Sequence, residues 1–443
     1  MGSSLKHSNL PPGAIVQTYQ DGGALRNDGI RLHPASQNPW YVLATVAGEQ
    51  DAADIFEFDG ELHARNRRFW NGWMCKNINE GRRVALAEKL GLPAAELAPL
   101  GESEMERVRS RFNAAFSAPE PDEVIPAPDA AIDFCNVHFP QPVIFGSYAF
   151  TVSVLAKRAH FSADAFFLDA LFTDTAEFEE THFNGETVFA EAYFNLVANF
   201  QAAHFSGDAF FMGANFMRSA EFQEARFEAR ADFTDGYFAA RTGFKGTAFK
   251  VEMPRFFNCQ MHQDTSFSDD LALWPEATRE NASDGKKAYT RLRQVAAEIY
   301  DQDLEHFFLR QEMQCKETLA GWFDKVVFIL YRWFADSGIS VARPFWLLVF
   351  FWAFGFACFS GYFDSGVFTE LPPDIQDSRY RAAAGVSFGN LFGFLGINRL
   401  YFTDLLQDHI PDGLQFVAGL QTFAGVVLLF LLGLGLRNRF RLR

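Results

Sequence analysis

Four histidines, His138, His160, His182 and His204, recur at a constant interval of 22 residues. Stacked on one face of a β structure, their imidazoles would stand about 4.8 Å apart, close enough to share a transition metal or a proton. Two features weigh against that chemistry. Each histidine directly precedes a phenylalanine, and neighbouring residues of an extended chain point to opposite sides. A column beside inward Phe therefore points outward. No acidic ligands stand in register with it, and a repetitive architecture duplicates surface residues along with everything else. The reading is a structural or solvated column, with metal binding the lesser alternative; no cofactor is expected. Nothing else has catalytic spacing. There is no GxSxG, no P-loop and no GxGxxG after a strand. The five cysteines lie far apart without a CxxC pair, so neither a zinc cassette nor a disulfide framework is indicated. The chain does not read as an enzyme.

What sets the interval is phenylalanine, 52 of 443 residues. One track runs Phe139, Phe150, Phe161, Phe172, Phe183, Phe194, Phe205, Phe216, Phe227, Phe238, Phe249. A second runs Phe134, Phe145, Ala156, Phe167, Phe178, Phe189, Phe200, Phe211, Phe222, Phe233, Phe244. Both advance by 11, and steps between them alternate 5 and 6. Two residues before each Phe, from Ala159 onward, stands a small residue. A period near 5.5 suits neither a helix nor a flat strand. It suits a coil with corners, each short side sending one large and one small side chain inward. The 22-residue histidine interval then means four sides per coil, and Phe134 to Phe249 gives about five coils, a rod roughly 25 Å long. Phe161, Phe183 and Phe205 are expected to stack on one inner face, and Phe172, Phe194 and Phe216 on the opposite one; Phe227 and Phe238 continue this core.

At these residues the sequence resembles the pentapeptide-repeat family, in the variant with Phe at the central position. The blocks AEFQE, ARFEAR, ADFTD and GYFAAR, residues 220–241, carry the likeness. The resemblance implies a mainly β fold, a right-handed four-sided β-helix. The family's usual coil is shorter than 22 residues, so bulged or widened sides are expected. The likeness speaks for fold and says little about function.

Residues 344–363 and 413–436 are uncharged apolar stretches long enough to cross a bilayer. Arg332 and Arg343 precede the first; Arg437, Arg439, Arg441 and Arg443 follow the second. The segment between them carries seven acidic residues, Asp364, Glu370, Asp374, Asp377, Asp404, Asp408 and Asp412, against Arg379, Arg381 and Arg399. Basic residues at the outer ends place both termini on the cytoplasmic side. Residues 322–334 read as an interfacial helix. The Gly-interrupted stretch 382–398 is expected at the interface beside Tyr380 and Tyr401, or as a re-entrant segment. Ala353, Ala357 and Gly361 form a small-residue stripe suited to contact with the second span or with another protomer.

The remaining divisions follow. Residues 1–117 form a small α+β module, with short strands expected from Trp40 to His63 and helices over Asn79–Leu90 and Ser103–Phe116. The aromatic and Arg set Arg65, Arg67, Arg68, Trp70 and Trp73 could be a partner surface, but packing on the open end of the solenoid is preferred, since such an end must be covered. Residues 118–130 are a Pro-rich acidic linker, 131–270 the β-helix, 283–320 a capping and connecting helix, and 321–443 a two-span membrane domain. Lys286, Lys287, Arg291 and Arg293 can approach anionic lipid. The segments 38–50, 65–74, 289–313 and the closing Leu/Arg run also resemble membrane-anchored bacterial pentapeptide-repeat proteins.

A net charge of -16 argues against a nucleic-acid partner. The expected function is a scaffold at the cytoplasmic face of a bacterial inner membrane, with an unidentified protein partner, membrane lipid and a homo-oligomer through the small-residue stripe. Two alternatives are a small oligomeric pore, with Asn390 or Asn398 meeting the ion, and an acidic DNA mimic. Between Phe134 and Lys250 stand 14 acidic and 8 basic residues, a weak excess for mimicry.

Overall fold

Every eleventh residue from Asn136 to Asp235 turns through the left-handed region; among the non-glycine ones φ is 55° at Asn136, Asp169, Glu180 and Glu191 and 60° at Glu224. Each sits two residues after a member of the second track, Phe everywhere but at Ala156. There the N–H three residues on from that member donates back to its carbonyl, as Ala159 N to Ala156 O at 3.0 Å and Ala170 N to Phe167 O at 3.1 Å. A positive φ at the third position of such a turn is what a type II corner requires. The bulge expected from the long repeat thus takes a definite form: tight left-handed corners alternate with wider six-residue ones. A non-glycine residue in that region costs about 1–2 kcal/mol, so something must repeat often enough to outweigh it.

That something is the interior. The computed structural model describes residues 13–50, 58–116, 124–365, 379–401 and 411–440, in two compact units, Met1–Phe308 and Leu309–Arg443. In the first, two- and three-residue strands from Ile132 to Phe249 pair in parallel with a 22-residue offset, so that His160 opposes His138 and His182, and Phe183 opposes Phe161 and Phe205. The strands fall into four sheets, one strand of each per coil, giving a β-solenoid of about five turns. Phe161, Phe183 and Phe205 stack at 4.9 and 5.0 Å, and Phe172, Phe194 and Phe216 at 4.7 and 4.9 Å, with rings within 8° of parallel. The second track stacks likewise, Phe167 on Phe189 at 4.6 Å and Phe178 on Phe200 at 5.1 Å. All are buried, each contributing about 1.5–3 kcal/mol.

The columns outlast the pattern that revealed them. Phe256 stacks on Phe233 at 4.9 Å and Phe267 on Phe244 at 5.1 Å, each one residue out of the 22-residue phase. Isolated bridges Asp232–Arg255, Tyr237–Gln260 and Gly243–Ser266 carry the coil onward.

Among the described residues the expected strands at Trp40–His63 are not formed; residues 51–57 of that range lie outside them. The strands lie earlier: β1 Ile15–Thr18, β2 Ala24–Arg26 and β3 Arg31–Pro34, the last pairing in parallel with Val137–Phe139. Where strands were expected, α1 Pro39–Ala44 and the start of α2 Gly60–Met74 stand instead. The reason is capping. The Asn38 side chain accepts from Trp40 N and Tyr41 N, with Pro39 at the first helical position, and Asp59 accepts from Glu61 N and Leu62 N. α3 Glu80–Lys89 and α4 Glu102–Phe116 lie where helices were expected. The first part of the Pro-rich linker, through residue 123, lies outside the described residues.

α2 closes the first edge of one sheet with side chains in place of a strand. Asn71 accepts from Ala149 N at 2.8 Å and donates to Ser147 O at 3.2 Å, while Trp70 Nε1 donates to Ala149 O at 3.0 Å. Trp70 packs against Phe150 and Phe145. At the far end, α5 Ala282–Glu298 and α6 Gln302–Leu319 meet at Tyr300, a left-handed residue. Trp274, Tyr289, Phe307 and Phe308 cover Phe249 and Phe267.

The second unit holds α7 Trp322–Ala335, α8 Ala342–Asp364, α9 Arg379–Leu391, α10 Ile397–Tyr401 and α11 Asp412–Phe440. α8 and α11 are long and apolar enough to cross a membrane. The acidic residues Glu370, Asp374, Asp377, Asp404 and Asp408, with Arg441 and Arg443, lie outside the described residues.

Candidate functional site

The histidine column points away from the phenylalanine interior, as expected, yet it is not solvated. His138, His160, His182 and His204 are all buried, at 5% exposure or less. The β1–β2 hairpin folds back over the outside of this sheet. At one end Gly22 O meets His138 Nδ1 at 2.7 Å; two coils further along, a Cβ on Gly13 would overlap His182 and the Arg26 guanidinium. Gly13 also has φ +81°, so glycine is needed there for both space and backbone.

Three of the four rings find a partner one coil on, in the residue that follows the next Phe of the column. Ser162 Oγ lies 2.9 Å from His138 Nε2, Asn184 Nδ2 3.0 Å from His160 Nε2, and Glu228 Oε1 3.4 Å from His204 Nε2. His138 must donate from Nδ1 to the Gly22 carbonyl, which leaves Nε2 to accept from Ser162. Asn184 donates to His160 Nε2, so a neutral His160 carries its proton on Nδ1, where no acceptor lies within reach. His182 and His204 approach through their Nδ1 atoms at 3.4 Å. Neighbouring ring centroids are 5.9, 5.5 and 5.2 Å apart.

Burial holds His160 down at about 3 and His182 at about 2; the neighbouring imidazoles and Arg26 push the same way. His138 and His204 are lowered for the same first reason, against the Gly22 carbonyl in one case and Glu228 in the other. The column is therefore a neutral, hydrogen-bonded spine sealing a hairpin to the rod. Arg26, itself 4% exposed, pairs with Asp28 at 2.8 Å, and its Nε and Nη1 lack partners. Among the described residues no group of three or more His, Cys, Asp or Glu is placed to hold a metal ion. The polar column Ser162, Asn184 and Glu228 was readable as the residues following Phe161, Phe183 and Phe227, but only the histidines stood out by type.

Burial raises Cys75 and Cys259 to about 12 and Cys135 and Cys315 to about 11, and none of the five cysteines is bonded to another.

In the second unit, the stretch 382–398, expected at the interface or as a re-entrant segment, packs against both apolar helices. α9 packs between α8 and α11, burying Ala382, Ala383, Val386 and Leu391. Asn390 and Asn398, singled out as ion-meeting groups, belong to a hydrogen-bond chain. Asn398 Nδ2 donates to Asn390 Oδ1 at 2.6 Å, Asn390 Nδ2 to Gln421 Oε1 at 3.0 Å, and Gln421 Nε2 to Ser387 Oγ and Phe351 O at 2.8 Å each. Ser387 Oγ donates to Trp352 O at 2.7 Å. Gln421, the hub, was passed over in the sequence; its signal is an amide inside an apolar run. Side chains on Gly355, Gly389 or Gly425 would overlap Gln421, Asn398 or Leu391. The stripe Ala353, Ala357 and Gly361 is exposed, not set against α11, so its reading as a contact with the second apolar helix is withdrawn.

A scan of protein-family models and searches of curated proteins and solved structures give no match to this chain. Phe-rich repeats about every 22 residues in a β-solenoid are consistent with a pentapeptide-repeat-like protein.

Proposed function

We propose that the chain is a membrane-anchored scaffold, not an enzyme: a right-handed, four-sided β-helix held at the cytoplasmic face of a bacterial inner membrane by α8 and α11, with both termini cytoplasmic. One observation carries this reading. The solenoid interior is filled with stacked rings, which leaves its flanks as the surface on which it can act. One flank bears an apolar stripe at the 22-residue interval, Ile144, Phe166, Val188 and Phe210, with Phe166 and Val188 buried and the other two partly so. Beside it Leu168 and Met212 are exposed at 45% and 39%. An apolar ladder on a soluble flank suits a protein contact. The hydrogen-bond chain around Gln421 supports an anchoring role over conduction, because Asn390, Ser387 and Gln421 bond to one another and to helix carbonyls, with Asn398 Oδ1 alone left without a partner.

Crosslinking and pull-down from native membranes, comparing the full chain with the double variant Leu168→Glu, Met212→Glu and with a version lacking residues 134–249, tests this. The expected result is loss of the same crosslinked species in both variants. Species unchanged by removal of the solenoid would overturn the reading. Ion-selective current through purified protein in liposomes, abolished by Asn390→Leu, would replace it with the pore.

A further inference from the structure

In the N-terminal module, α2 and α4 both pack on α1 and leave an open trough of about 520 Å³ between them. Arg107, Ser110, Arg111 and Ala114 line it from α4 at helical spacing, Arg65 and Phe69 from α2. Val46 and Ala47, just beyond α1, complete the lining. Three guanidiniums thus converge on one groove in a chain of net charge -16. Only Arg111 has a carboxylate at hand among the described residues, Glu49 at 3.2 Å, and its Nε remains buried without a partner. Arg65 and Arg107 are exposed. The floor is apolar, with Phe69 4% exposed and Val46 9%.

We propose that this trough binds an acidic segment of a partner protein, Arg65, Arg107 and Arg111 pairing with its carboxylates while an aliphatic or aromatic side chain lies on Val46 and Phe69. Guanidinium forks match carboxylates in planar, bidentate geometry. From Arg107 to Ala114 the α4 wall runs two turns, about 10 Å, longer than one free anion needs. The apolar lining between the cations has no use for inorganic phosphate. A nucleic acid would fit the charge but not the setting, since its long phosphate chain would run on over a strongly acidic molecule. This site is separate from the solenoid flank and stands whether or not that flank recruits a protein.

The test uses the full chain purified in detergent and a fluorescent peptide of alternating Glu and Phe, followed by anisotropy. Saturable binding that weakens with salt is expected. Arg65→Glu with Arg107→Glu should weaken it about tenfold or more, since each reversal replaces attraction by repulsion; Arg65→Lys with Arg107→Lys should keep most of it. A Gln and Phe peptide should not bind. Should the charge-reversed protein fail to fold, Ala114→Glu, at an exposed position in the same trough, must produce the same loss. Undiminished binding by a folded Arg65→Glu, Arg107→Glu protein or by Ala114→Glu, or displacement of the peptide by equimolar phosphate or short duplex DNA, would overturn the proposal.

Discussion

Acid should peel the β1–β2 hairpin from the histidine column well before the rod itself yields. His160 and His182 are held near 3 and near 2 beneath the hairpin; released, they return towards the ordinary imidazole value of about 6.5. Above that value both states are neutral and the cover keeps its full stability. Below it the open state takes up protons that the closed state refuses. Closure then weakens by about 1.4 kcal/mol per pH unit for each imidazole until the covered values are reached. Two imidazoles over the interval from pH 6.5 to 5 remove about 4 kcal/mol, close to a thousandfold in the closing equilibrium. The other groups facing the column do not reverse the sign. Arg26 stays charged and opposes further protonation, Asp28 is already paired with it, and Glu228 eases the charging of His204 alone. The assay is hydrogen exchange of residues 13–34 between pH 7 and 5, corrected for the intrinsic rate. Protection of β1 and β2 should collapse while that of Phe183 and Phe205 persists. In the double variant His160→Leu, His182→Leu most of the pH slope should vanish, over a constant loss from the orphaned Asn184 amide. A flat profile in the parent protein, or an unchanged slope in the variant, would refute the account of the column as a buried neutral spine.

Three further outcomes follow from the packing. Phe194→Ala removes a ring stacked at 4.7 and 4.9 Å on Phe172 and Phe216 and should destabilise the solenoid by about 3–5 kcal/mol in chemical denaturation; a loss below about 1 kcal/mol would mean that the coils close over the gap. Asn71→Leu leaves Ala149 N–H and Ser147 C=O unpaired at a covered sheet edge, so Trp fluorescence should report a loss of about 2–4 kcal/mol, and indifference would show that water replaces the amide. Gln421→Leu severs bonds to Asn390, Ser387 and Phe351 and should lower the stability of the α8–α9–α11 packing in micelles by about 1–2 kcal/mol; an unchanged melting point would reduce the hub to a bystander.

How much was legible depended on what the chain repeats. The Phe columns could be read to the residue because each of the two tracks has eleven members at a spacing of 11, all Phe except Ala156. They were lost after Phe249 because the next members, Phe256 and Phe267, slip by one residue while still stacking. The outward direction of the histidines followed from strand alternation, but their burial did not. It depends on Gly13, Gly22 and Arg26, non-repeating residues whose contacts lie more than a hundred positions away. The misplaced strands have a local cause. Aromatic-rich sequence after Trp40 suggested β structure, whereas Asn38–Pro39 and Asp59 are helix starts that outweigh it.

A solenoid leaves two kinds of unmet demand, and each covering element answers one. Ends expose backbone groups as well as rings, and there the chain supplies hydrogen-bonding side chains, Asn71 and Trp70 at one edge, with an aromatic cluster around Trp274 at the other. Flanks expose no unpaired backbone, so a flank needs covering only where its outward side chains are poorly suited to water. Imidazole answers both needs on the covered flank, since it packs as a flat ring and still bonds to Gly22 O, Ser162, Asn184 and Glu228. The flank bearing Ile144, Phe166, Val188 and Phe210 has no such bonding capacity, and Leu168 and Met212 beside it remain exposed. The exposed Leu168 and Met212 are a cost to the isolated chain. That imbalance is why a partner is sought on this flank before any other.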